Sequence, residues 1–277
     1  VNKVITNAST MVALESTFNV QHITSGDPLP DNEDVKDAAR KLNRELLSIK
    51  TKKKRRTDLA GSRLIMNNVI QNRVANANID YYEYSVNDVG YELVLILDCS
   101  GSMSSSKEDI ETLFATISKA IDGIKELSFR AFSFQQKHKG NTDICIWDKG
   151  EFLFGGELNI GGRTPLPQAI HFVNSVITKT QKKKSVLVIG DGFPVFMSAK
   201  SESIDTDNLI HWTRREIDSL AELGISTYGL MVGNSLPDDE SMNKIFVSPA
   251  KWVKLDRSRL LEATIDYIRK EFMKEMK

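Results

Sequence analysis

Residues 91–103 read Tyr-Glu-Leu-Val-Leu-Ile-Leu-Asp-Cys-Ser-Gly-Ser-Met, and this stretch decides the fold. Tyr91–Leu97 is a near-continuous apolar run, too short for the roughly 18 residues of a membrane span. A half-exposed strand would alternate; an unbroken run is expected of a parallel strand covered on both faces. The run then turns polar at once, in Asp98-Cys99-Ser100-Gly101-Ser102. In open parallel sheets the crevice beyond the C-terminal strand ends is where ligands bind. One carboxylate and two hydroxyls are therefore expected in a single loop at that edge.

The pattern downstream repeats this style. A helix is expected over about 105–125, with Ile110, Leu113, Phe114, Ile117, Ala120, Ile121 and Ile124 on one stripe and a capping box from Ser105 and Glu108. Strand candidates follow at 127–134 and 142–147, a helix at about 165–179, and a second buried strand at Ser185–Gly190. A helix at 206–223 closes on Gly224, a residue type suited to the position after a helix. Strands near 225–231 and 251–255 and a helix over about 257–273 complete the alternation. Strands alternating with helices predict an α/β fold: a doubly wound, mostly parallel sheet with helices on both faces over residues 89–277.

Residues 1–30 predict a flexible or docked N-terminal arm, ending in the turn-rich Gly26-Asp27-Pro28-Leu29-Pro30. Residues 31–88 predict a basic helical flank. Asn32 can cap a helix over 33–50, in which Val35, Ala39, Leu42, Leu46 and Ile49 recur at helical spacing. A second, weaker helical stretch spans 62–75. The chain carries 37 basic and 37 acidic residues, yet residues 36–73 hold twelve basic groups against three acidic ones, a local excess of nine. Overall neutrality excludes a generic polycation. The run Lys52-Lys53-Lys54-Arg55-Arg56 reads either as solvated surface or as a dock for an acidic partner. Without interleaved aromatic residues it does not read as a base-stacking surface.

Two further loops add oxygen donors. Gly161-Gly162-Arg163-Thr164-Pro165 places a hydroxyl just ahead of a helix, and the strand at 185–190 ends in Asp191-Gly192. Asp98, Ser100, Ser102, Thr164 and Asp191 thus offer oxygen-only ligands for a hard cation, Mg²⁺ first, with Mn²⁺ or Ca²⁺ as substitutes. A carboxylate from another protein could fill the remaining position.

Enzyme readings fit less well. A haloacid-dehalogenase-like phosphatase needs a second aspartate two residues after the first, where this chain has Ser100. A serine hydrolase wants Gly-x-Ser-x-Gly, and Ser100 lacks that frame. His22, His138, His171 and His211 show no metal-pair spacing, and Cys99 and Cys145 fit no CxxC or zinc pattern. With two cysteines and no basic-then-apolar leader, a reduced cytoplasmic setting is expected.

The three loops, in this order and each at a strand end, resemble the metal-ion-dependent adhesion site of von Willebrand factor A domains. The resemblance covers about residues 89–277. It implies a non-catalytic interaction module in which Ser100, Ser102 and Thr164 ligate the metal and Asp98 and Asp191 act largely through water. A narrower likeness links Lys41-Leu42-Asn43-Arg44-Glu45-Leu46-Leu47, Gly61-Ser62-Arg63-Leu64, Phe193-Pro194-Val195 and Leu223–Gly229 to CobT-type cobaltochelatase subunits. Gly162-Arg163-Thr164-Pro165-Leu166 is nearer the magnesium-chelatase D subunit and the A-domain partners of MoxR ATPases. That likeness implies a AAA+ ATPase of MoxR or CobS type as partner. It implies that the metal grips a glutamate or aspartate of this ATPase or its client. The other class left open is an adhesion or ligand-binding A domain of extracellular type.

Overall fold

The computed structural model describes residues 17–23, 28–51, 55–58, 63–64, 82–85, 90–121, 124, 127–147, 160–177, 183–191, 193–200, 202–232 and 236–275. In chain order the elements are β1 (Thr17–His22), α1 (Glu33–Thr51), β2 (Arg55–Asp58), β3 (Arg63–Leu64), β4 (Tyr82–Ser85), β5 (Tyr91–Asp98), α2 (Lys107–Ile121), β6 (Leu127–Gln135), β7 (Asn141–Trp147), α3 (Leu166–Ile177), β8 (Lys183–Gly190), α4 (Thr206–Glu222), β9 (Ser226–Val232), α5 (Asp239–Phe246), β10 (Trp252–Leu255) and α6 (Leu260–Glu275).

Seven strands form one sheet in the order β1-β7-β6-β5-β8-β9-β10. From β6 through β5, β8 and β9 to β10 the neighbours are parallel, whereas β7 runs antiparallel to β6, and β1 runs parallel to β7. Strand β5 sits at the centre and is buried along its whole length, as its unbroken apolar run requires. Near its start the buried Glu92 meets Arg130 of β6 at 3.4 Å, so that carboxylate is not left uncompensated.

The sheet separates two apolar cores. Leu93, Leu95 and Leu97 of β5 point into one, with Ile110, Leu113, Phe114 and Ile117 of α2 and Leu260 and Ile268 of α6. Val94 and Ile96 point into the other, with Ile170, Val173 and Ile177 of α3, Ile217 and Leu220 of α4 and Phe246 of α5. Alternate residues of one strand thus feed opposite layers, and helices lie on both faces, as the sequence predicts.

Helix α1 begins where expected: the Val35 amide donates to Oδ1 of Asn32 at 2.9 Å. Its stripe Val35, Ala39, Leu42 and Leu46 is buried, three of the four within the core that holds α2 and α6. The Asn43 amide also donates to the Ala120 carbonyl at 2.6 Å. Residues 17–22, within the stretch expected as an arm, form the edge strand β1. Its Phe18 ring packs 5.2 Å from Phe172 of α3.

Three further features differ from the sequence expectation. Residues Arg63–Leu64, expected in a helix, lie in a strand of a small antiparallel sheet ordered β2-β4-β3, and the rest of 65–75 falls outside the described residues. Ser105 lies inside a 3₁₀ turn, Gly101–Ser106, that runs straight into α2, so it does not stand at the helix cap. Helix α5 was not expected; it is short, and Asp238 caps it by accepting from the Ser241 amide at 2.8 Å. The basic residues Lys52–Lys54 lie outside the described residues. Among those described, no helix is long and apolar enough to cross a membrane.

Candidate metal site at the strand ends

Register brings the two carboxylates together. Leu97 of β5 pairs with Ile189 of β8, so Asp98 stands level with Gly190 and one residue short of Asp191. Gly190 leaves the room this needs: a Cβ there would come 3.2 Å from the Asp98 Cβ and 3.4 Å from its Oδ2. Asp98 itself is almost fully buried.

Backbone hydrogen bonds lace the three loops into one unit. The Gly161 amide donates to the Cys99 carbonyl at 2.8 Å, and the Gly101 amide donates to the Gly162 carbonyl at 3.2 Å. The Val195 amide, just beyond Asp191, donates to the Thr164 carbonyl at 2.8 Å. Gly162 is required by its backbone: φ is +77°, and a Cβ would fall 2.1 Å from the Gln136 carbonyl oxygen.

The five expected donors arrange themselves as follows. The Ser100 amide donates to Oδ1 of Asp98 at 2.8 Å. The hydroxyls of Ser100 and Ser102 are 3.1 Å apart, and Ser102 donates to Oδ1 of Asp191 at 3.0 Å. Thr164 is buried beside Asp98, and its hydroxyl helps to stabilise that carboxylate. Ser102 is exposed and Asp191 half-buried, so the cluster opens to solvent on one side.

Electrostatics here is unfavourable without a cation. Burial pushes the Asp98 carboxyl up to about 7 from an ordinary 3.8; the Ser100 amide and the hydroxyls of Ser100 and Thr164 oppose this, while the Asp191 charge adds to it. Asp191 is also raised, chiefly by burial. Oδ2 of Asp98 is buried with no hydrogen-bond partner among the described residues. An orphaned carboxylate oxygen, three hydroxyls and a second carboxylate within one loop cluster fit a hard divalent cation, which would supply the missing positive partner. Among the described residues no three His, Cys, Asp or Glu side chains gather as a metal site, so hydroxyls must carry much of any coordination here.

Sequence reasoning missed Arg257. It lies in the turn after β10, and its positive charge draws down the carboxyls of both Asp191 and Asp109 against the effect of burial. No local pattern marks it, because tertiary structure alone brings the β10–α6 turn towards the β8 loop. Cys99, inside the serine loop, is buried, and burial pushes its thiol up and away from the reactive thiolate. His171 of α3 meets Glu216 of α4 at 3.2 Å and so ties these two helices together.

No family model matches the sequence, and no curated protein matches it. Solved structures do. The pilus adhesin SpaC from Lactobacillus rhamnosus GG is 16% identical with a TM-score of 0.51, over 69% of this chain and 31% of SpaC. The chain therefore spans about a third of SpaC's length. The vWF domain of the type V pili tip protein Mfa5 from Porphyromonas gingivalis is 10% identical with a TM-score of 0.52, over 69% of this chain and 98% of that one. At such identities the likeness concerns the fold, and the fold is that of a von Willebrand factor A domain.

Proposed function

We propose that this chain is a non-catalytic, metal-dependent interaction module, in which Mg²⁺ at the strand-end loops is completed by a glutamate or aspartate of a partner protein. The observation that carries this reading is the orphaned, buried Asp98 carboxylate beside the hydrogen-bonded row Ser100–Ser102–Asp191. Ser100, Ser102 and Thr164 would hold the ion, with Asp98 and Asp191 balancing its charge. Two carboxylates against a divalent cation leave no net negative charge, so a partner carboxylate is attracted rather than repelled. The bound ion would supply that electrophilic contact.

We take the partner to be a AAA+ ATPase of MoxR or CobS type, or its client. Support comes from the likeness of the flank and of Gly162-Arg163-Thr164-Pro165-Leu166 to the A-domain partners of such ATPases, and from the basic run Lys52–Arg56 as an added dock. A second reading, an adhesion A domain, is favoured by the pilus proteins among the structural neighbours. A neighbouring gene for a AAA+ ATPase favours the first; a secretion signal in the full-length protein favours the second.

The direct test is a pull-down from the native host with Mg²⁺ or with EDTA, using wild type and Asp98→Ala. Capture that needs Mg²⁺ and fails for the variant, with its circular dichroism unchanged, supports the reading. Capture that persists in EDTA with folded protein overturns it.

A further inference from the structure

One rim of the metal cluster carries cations on loops whose backbone is held in place, and the described carboxylates beside it are outnumbered. The turn between β6 and β7 holds Lys137, His138 and Lys139, all exposed. This turn is bound to the threonine loop by a reciprocal pair of hydrogen bonds between Gln136 and Arg163, each 3.0 Å. Arg163 immediately precedes Thr164, so its guanidinium stays within one side chain's reach of the site. The Gln136 side chain also grips the loop beyond Asp191: its amide donates to the Met197 carbonyl at 2.8 Å, and its Oε1 accepts from the Met197 amide at 2.8 Å. Gly140 sits against Ala199 so closely that a Cβ would come within 2.8 Å of the alanine Cβ.

The charges on this welded surface favour one sign. Lys137, Lys139, Arg163 and Lys200 stand against Asp143 and Glu202, four positive against two negative. Asp143 is engaged by neutral donors, the Asn19 side-chain amide at 2.9 Å and the Lys137 backbone amide at 3.3 Å. Neither Lys137 nor Arg163 has an ion-pair partner among the described residues. Because the backbone beneath these two unpaired cations is already fixed, docking an anion need order only their side chains and not the loops that carry them.

We infer that this shelf reads the residues next to the metal-binding carboxylate, so that the partner segment is a run of acidic residues whose first carboxylate meets the metal and whose next ones lie along Arg163 and Lys137. The inference rests on the metal-dependent reading and specifies the partner's chemistry: an acidic peptide segment, extended from the metal towards the β6–β7 turn. Attraction between exposed charges at such range is screened by salt, which gives the shelf its signature.

The test uses the full chain and two fluorescent peptides, one with a single glutamate among glycine and serine, the other with that glutamate followed by further glutamates. Binding is read by anisotropy with Mg²⁺ and with EDTA, and Mg²⁺ binding is measured separately by calorimetry. The acidic-run peptide is expected to bind about tenfold more tightly at low salt, with the preference shrinking to about twofold in Lys137→Gln/Arg163→Gln or at high ionic strength. Mg²⁺ affinity of that variant should be equal or slightly tighter, since two nearby cations are gone. If the single-glutamate peptide binds with Mg²⁺ but the run confers no preference, or the preference survives in the variant, the inference is overturned and the metal reading stands. If neither peptide depends on Mg²⁺, the metal reading falls and takes this inference with it.

Discussion

The α1 flank and the strand-end loops spend their sequence in opposite ways. Helix α1 buries four apolar residues, three of them in the core shared with α2 and α6, and turns most of its charge to solvent, as in the Arg40–Asp37 pair at 2.6 Å. The loops bury a carboxylate and hydroxyls and leave an oxygen without a partner. One region is built for stability and the other draws on it. The contrast teaches that burial alone does not identify a core: Leu42 and Asp98 are equally hidden, and only their chemistry separates packing from function.

The largest expected effect tests the costly side. Metal-free, the fold holds Asp98 up at about 7 against an ordinary 3.8, so this group favours the folded state most below pH 4 and that advantage is lost as pH rises through 7. The loss amounts to about 4 kcal/mol. In EDTA, Asp98→Asn should therefore melt above wild type at pH 8 and level with it near pH 4. Mg²⁺ should raise wild type alone, and more at pH 8 than at pH 5.5, because below 7 a proton competes for the carboxylate. Thermal melts that show no pH-dependent gap would break the contrast at its functional end.

Leu42→Ala comes next and probes the packing side. Truncating a fully buried leucine should cost about 3 kcal/mol in urea unfolding. An unchanged midpoint would mean that α1 undocks independently of the sheet. Gly162→Ala then strikes where loops meet loops: the positive φ and the 2.1 Å approach to Gln136 predict a cost of about 2 kcal/mol together with weakened Mg²⁺ binding. Mg²⁺ affinity at the wild-type value in a folded variant would refute the lacing of the serine and threonine loops. The smallest effect concerns strain away from both regions. Val247 has φ of +76°, unusual for a β-branched residue, and is half exposed, so Val247→Gly should stabilise by about 1 kcal/mol. A lower melting temperature would show that its side chain contributes packing that outweighs the strain.

Much of this was legible in the sequence because the signals were physical and local. The unbroken runs at Leu93–Leu97 and Val186–Ile189 mark strands covered on both faces, and the stripe from Val35 to Leu46 marks an amphipathic helix. The donors Asp98, Ser100, Ser102, Thr164 and Asp191 each sit at a strand end or ahead of a helix, so topology could gather them. Strand β1 was not legible. Thr-Phe-Asn-Val-Gln-His buries none of its residues fully, so it carries neither an apolar run nor a clean alternation. Helix α5 offers only Met242, Ile245 and Phe246 as an apolar face, too few for a period, although Asp238 three residues before Ser241 was a capping signal. Arg257 and the Gln136–Met197 clamp depend on contacts across distant loops, for which the local sequence holds no cue.

The edge position of β1 has a consequence for biosynthesis. Its partner lies far downstream: Asn19 bonds Asp143, a separation of 124 residues. At a ribosomal pace of roughly 5–20 residues per second, β1 waits on the order of 6–25 seconds for β7 to emerge. During that interval the strand has no template and its exposed Val20 no cover. The central strands β5 and β6, adjacent in sequence and in the sheet, can zip together first. The first described strand to leave the ribosome is thus placed to join the sheet after its centre has formed.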